Sequence, residues 1–210
     1  MKTIELVNHG PIIPVIVIED IHDAIPIAEA LIAGGLKVLE ITLRTNCALK
    51  AIEMISNKVP DAIVGAGTLR TKSDATNAKL AGSQFAVSPG YTNEMGMICG
   101  EIELPLLPGV STASEVMDAN NDGYSFLKLF PAVAVGGINL LKGFSGPFAD
   151  VKFCPTGGVT IESAPDFLAL PNVPVKSMLG KNCDLAKPIF AFAVISLYSA
   201  IATSGRFSNT

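Results

Sequence analysis

The chain has 210 residues, 49% of them hydrophobic and 16% charged, with a net charge of −4. That length suits one domain with a sizeable core, and the apolar content suits an α/β protein whose central strands are buried on both faces. The absence of a Lys/Arg cluster argues against nucleic acid as a partner, and the start of the chain carries no secretory pattern because Glu5 and His9 interrupt it.

Strand-like and helix-like blocks alternate along the chain. Pro11 to Ile18 is a continuous apolar run and reads as a buried strand. Ile21 to Ala33 has helical spacing through Ile25, Ala28, Leu31 and Ile32, with Gly34-Gly35 as its stop. Leu36 to Leu43 is the second strand, Cys47 to Ser56 the next helix, and Ala62 to Thr68 the third strand. Ser73 to Leu80 reads as a helix, Phe85 to Ser88 as a strand, and Asn93 to Cys99 as a helix. Leu104 to Leu107 is a short strand ending at Pro108-Gly109, and Ser111 or Thr112 can cap a helix with Glu115 completing a capping box. Ser125 to Phe130 is a strand bounded by Asn121-Asp122-Gly123 and Pro131. A short helix over Gly137 to Gly143 follows, then a strand over Val151 to Cys154, a helix over Ile161 to Leu168 and an eighth strand over Val173 to Leu179. Eight β/α units at a spacing of roughly 20–25 residues predict a parallel sheet closed into a TIM (β/α)8 barrel over residues 1–210. An open doubly wound sheet is the alternative, but no GxGxxG follows the first strand.

Lys128 stands in the middle of an apolar strand. Alternation places Phe126, Lys128 and Phe130 on one face and Leu127 and Leu129 on the other. A buried ammonium is costly unless paired, and a neutral amine is the nucleophile that condenses with a carbonyl to form an imine. The plainer reading is a lysine paired for stability. On the second strand Glu40, Thr42 and Arg44 share a face opposite Leu39, Ile41 and Leu43, which directs three polar groups into the barrel. An internal Glu40–Arg44 ion pair is the structural alternative. Gly65-Ala66-Gly67-Thr68 at the end of the third strand offers a close backbone approach to a ligand and a hydroxyl on Thr68. Thr156-Gly157-Gly158, after the seventh strand and before a helix, is a candidate anion site. Cys47, Cys99, Cys154 and Cys183 lack CxxC spacing, so free thiols and a cytoplasmic location are expected. His9 and His22 belong to no convergent ligand cluster, so no metal site and no cofactor is expected.

Seven segments in this order resemble one family. They are Pro14-Val15-Ile16, Leu39-Glu40-Ile41-Thr42-Leu43-Arg44-Thr45, Gly65-Ala66-Gly67-Thr68, Ser88-Pro89-Gly90, Pro108-Gly109-Val110-Ser111-Thr112, Lys128-Leu129-Phe130-Pro131-Ala132 and Phe153-Cys154-Pro155-Thr156-Gly157-Gly158. The chain resembles the class I 2-keto-3-deoxy-6-phosphogluconate (KDPG) and 4-hydroxy-2-oxoglutarate (KHG) aldolases from about Gly10 to Val173. The resemblance implies a TIM barrel, a homotrimer and cleavage of a 2-oxo acid to pyruvate and an aldehyde. By that resemblance Lys128 is the imine lysine and Glu40 the general acid/base. Arg44 and Thr68 hold the pyruvate carboxylate, Phe130 and Pro89 line the substrate site, and Thr156, Gly157, Gly158 and Ser177 belong to the phosphate site. The alternative function is a phosphosugar-binding barrel protein, an isomerase or a non-catalytic binder, with a defective phosphate site.

The family pattern stops after Val173. Relatives carry a Gly-Gly-Ser segment at the eighth strand end, where this chain has Lys176-Ser177-Met178. Residues 174–210 are therefore expected to be atypical, and the apolar stretch Pro188 to Thr203 is slightly short for a membrane span and suits burial or an oligomer contact.

Overall fold

The computed structural model describes residues 2–10, 12–160 and 162–174. Every strand pairing among them is parallel. β1 (Val15–Ile16), β2 (Val38–Thr42), β3 (Ile63–Gly67), β4 (Phe85–Val87) and β5 (Leu106–Leu107) lie side by side in chain order. A second arc continues with β6 (Gly109–Val110), β7 (Phe126–Leu129) and β8 (Lys152–Pro155). Between successive strands run α1 (Ala24–Ala33), α2 (Ala48–Lys58), α3 (Lys72–Leu80), α4 (Asn93–Glu101), α5 (Ala113–Asn121) and α6 (Gly137–Phe144), with α7 (Ala164–Leu168) after β8. This is a TIM-type α/β fold.

Pro108 is where expectation and structure part. β5 ends at Leu107, as expected, but the chain resumes pairing one residue later as β6, so the two form one strand position interrupted at Pro108. Proline removes a donor but keeps its acceptor. The carbonyl of Pro108 accepts the Lys128 N–H at 2.8 Å, so pairing crosses the proline and hands the sheet over to β7. Seven strand positions are thus filled. Beside β8 the carbonyl of Asn172 accepts the Phe153 N–H at 2.8 Å, and the expected eighth strand, Val173 to Leu179, lies from residue 175 on outside the described residues.

Alternation on each strand sorts side chains into an outer and an inner layer. Leu39, Ile41, Val64 and Ala66 face outward against Ala28, Leu31, Ile52 and Ile55. Leu127, Leu129 and Phe153 face outward on the other arc, against Leu141, Phe144 and Phe167. Inside the barrel, Val38, Phe85, Val87, Leu107 and Phe126 pack with Leu6. Leu6 comes from a 3-10 segment, Thr3–His9, which sequence periodicity did not announce, and this segment fills the end of the barrel interior. Helix starts follow local chemistry. Thr112 and Glu115 form the expected capping box of α5, and Thr71 with Asp74 forms another on α3.

Candidate active site

β7 sits between β6 and β8 with Lys128 beside Gly109 on one side and Cys154 on the other. Its inward face carries Phe126 and Lys128, as alternation requires. Lys128 is 5% exposed, and its Nζ lies 3.7 Å from Glu40 Oε1 and 5.0 Å from the centre of the Phe130 ring. The Lys128–Glu40 separation is that of an ion pair rather than a short hydrogen bond. Glu40 comes from the middle of β2, is 3% exposed, and its Oε1 has no hydrogen-bond partner among the described residues. Burial pushes the Glu40 carboxyl above its ordinary range, against the opposing pull of Lys128 and Arg44. A carboxyl so placed exchanges a proton nearer neutral pH than an exposed one.

Arg44 stands at the rim, two residues beyond the end of β2. Its Nε donates to Thr68 Oγ1 at 3.2 Å, and its terminal nitrogens make no hydrogen bond among the described residues. Thr68 adopts φ 66°, a left-handed conformation that a β-branched residue takes only at a cost of order 1–3 kcal/mol. The third polar group of this face behaves differently. Thr42 is buried and its hydroxyl donates to the Ile16 carbonyl at 3.0 Å, which ties β2 to β1 and uses its one donor. Glu40 pairs with Lys128, and the internal Glu40–Arg44 ion pair weighed from the sequence does not form.

Beyond β8, Gly157 and Gly158 take φ 96° and 78°, values that favour glycine, and their N–H groups have no hydrogen-bond partner among the described residues. The carbonyls of Thr156 and Gly157 accept the N–H groups of Ala132 and Val133, so this turn is joined to the loop that follows Lys128. Arg44, Phe130, Thr156, Gly157 and Gly158 line a common cleft, whose lining does not include Lys128 or Glu40. The Pro89 carbonyl packs against Gly109, which neighbours Lys128 in register. Ser177, with Lys176 and Met178, lies outside the described residues.

The glycines of β3 make room for neighbouring side chains. A Cβ at Gly65 would collide with the Phe85 ring, and one at Gly67 would lie 2.7 Å from Glu40 Cγ and 2.8 Å from its Cδ. Both leave room for neighbouring side chains of the interior. Cys154 is a site neighbour that sequence reading quoted in a motif without assigning a role. Burial pushes its thiol up to about 11, with Glu40 adding to the shift and Lys128 opposing it. Alternation on β8, with Phe153 outward, was the available signal.

Comparison with known proteins shows the family. A family model described as KDPG and KHG aldolase matches residues 3–185. The chain belongs to the KDPG and KHG aldolase family. That match runs past Val173, where the motif pattern ends. The chain is 47% identical over 169 residues to 2-dehydro-3-deoxy-phosphogluconate aldolase of Dickeya dadantii, covering 80% of this chain and 79% of that protein. It is similar to the Zymomonas mobilis KDPG aldolase solved with 3-phosphoglycerate, with TM-score 0.79, 44% identity and coverage of 91% and 94% of the two chains. It is also similar to the Legionella pneumophila KDPG aldolase in which pyruvate was captured as a covalent carbinolamine intermediate, with TM-score 0.79, 42% identity and coverage of 91% and 95%. Membership of this aldolase family makes the chain a carbon–carbon lyase. Among the described residues no helix is long and apolar enough to cross a membrane.

Proposed function

We propose that the protein cleaves KDPG to pyruvate and glyceraldehyde 3-phosphate, and KHG to pyruvate and glyoxylate, through an imine on Lys128. The observation that carries this reading is a buried amine 3.7 Å from a buried carboxyl whose proton affinity is raised. The Lys128 amine adds to the C2 carbonyl, and the carbinolamine loses water to give a protonated imine. Glu40 takes the proton of the C4 hydroxyl. The C3–C4 bond then breaks, the aldehyde leaves, and the electron pair passes into the imine to form an enamine. Glu40 returns the proton to C3, and hydrolysis of the imine frees pyruvate and the lysine. One carboxyl serves both proton transfers in turn. Arg44 forks onto the 2-oxo acid carboxylate with its terminal nitrogens while Thr68 holds its Nε. Gly157 and Gly158 offer amides to the phosphate.

Residues 1–210 are taken as one barrel domain with an atypical part from 174. The resemblance supports a homotrimer and the scattered free cysteines a cytoplasmic location, and exposed Leu80, Met97 and Met117 are apolar surface available to a second copy. Light scattering tests the assembly, with three chain masses expected. Pyruvate release from KDPG and from KHG, followed with lactate dehydrogenase, tests the activity. One pyruvate per substrate is expected from each. Binding of phosphosugars without pyruvate release would favour the non-catalytic alternative.

A further inference from the structure

Gly67 ends β3 on the inward face, next to the strand that carries Glu40, and its neighbour in register is Thr42. A Cβ there would sit 2.7 Å from Glu40 Cγ, 2.8 Å from Cδ and closer still to Oε1, nearer than real Cβ atoms approach. Gly67 is absent from the glycines with positive φ, so its backbone accepts any L-residue and the need for glycine there is one of space. Gly65 makes a different demand. Its missing Cβ leaves room for the Phe85 ring, a rigid group within the packed interior, whereas Gly67 faces the movable end of one side chain.

We propose that Gly67 is a positioning residue for proton transfer: the bare backbone of β3 lets the Glu40 carboxyl lie where it meets Lys128. The proposal rests on the reading of Glu40 as the proton carrier. Gly67→Ala should fold, because the Glu40 side chain can swing away from the added methyl. It should still trap pyruvate on Lys128 with borohydride. Its exchange of pyruvate methyl protons with solvent, and its kcat for cleavage, should each fall about 10²-fold, the effect of displacing a catalytic group by about 1 Å. Two backgrounds separate this from a general packing defect. In Glu40→Gln the added Gly67→Ala change should cost less than about 2-fold further, a non-additivity expected only of groups acting together. In Glu40→Ala, which lacks Cγ, Cδ and Oε1, the methyl finds room, so the double variant should fold and trap pyruvate within about 2-fold of Glu40→Ala alone. Wild-type exchange in Gly67→Ala, or an equal loss in all three backgrounds, overturns the proposal. Wild-type exchange in Glu40→Gln overturns the reading of Glu40 itself, and the proposal with it.

Discussion

The interior of the barrel and its rim solve different problems. Inside, Lys128 and Glu40 are 5% and 3% exposed, and their properties come from exclusion of water and from each other. At the rim, Arg44 is exposed and Gly157 and Gly158 present backbone amides, so recognition there rests on geometry rather than on burial. The difference implies that interior substitutions act on the chemical step and rim substitutions on substrate affinity and choice.

The largest expected effect is on the interior. Glu40→Gln should lower kcat by roughly 10²–10⁴-fold while the imine still forms. The pH profile sharpens this. A carboxyl raised above its ordinary value of 4.5 becomes a base only at higher pH, so proton exchange from bound pyruvate should rise above the ordinary carboxylate range. That limb should vanish in Glu40→Gln. The same shift has a stability consequence. As pH rises from 4.5 the unfolded chain ionises first, so this group stops favouring the folded state between 4.5 and its raised folded value. Glu40→Gln should flatten that slope in a denaturation series across pH.

At the rim, Arg44→Ala should raise KM for pyruvate with little change in kcat for the chemical step. A charge-assisted hydrogen bond is worth ~1.5–3 kcal/mol, or roughly 10–150-fold. A fall in kcat at unchanged KM would erase the distinction between rim and interior. The preference for KDPG over KHG should also be reduced by about the same factor, because the sequence carries Lys176-Ser177-Met178 where the resemblance leads one to expect a Gly-Gly-Ser segment. Comparing kcat/KM for the two substrates, with and without competing inorganic phosphate, measures it. A preference of ~10³-fold or more, abolished by phosphate, would show a full phosphate site. The smallest effect expected is none. Dialysis against EDTA should leave cleavage unchanged, since the imine supplies the electron sink that a Lewis acid would otherwise provide.

Side-chain placement was legible in sequence wherever a local rule applies, in the interior and at the rim alike. Alternation along an apolar strand is enough to turn Lys128 inward with Phe126, and the same rule turns Glu40 inward with Val38. Helix starts such as Thr112 with Glu115 are local and were equally readable. What escaped depends on contacts distant in sequence. Thr42 spends its donor on the Ile16 carbonyl of the neighbouring strand, and Gly67 owes its identity to Glu40 on the adjacent strand. Pro108 reads locally as a stop, yet its carbonyl is the acceptor through which Lys128 joins the sheet. The 3-10 segment of Leu6 has no helical or strand period to reveal it, although it fills part of the core.

The central claim is that Lys128 carries the substrate, and covalent trapping tests it most directly. Incubation with pyruvate and borohydride, followed by peptide mass mapping, should place a reduced pyruvyl group on the peptide containing Lys128 and inactivate the enzyme in step with labelling. Trapping should persist in Glu40→Gln and disappear in Lys128→Ala. Labelling of Lys152 or Lys176 instead, or of no lysine while cleavage proceeds, would contradict the account.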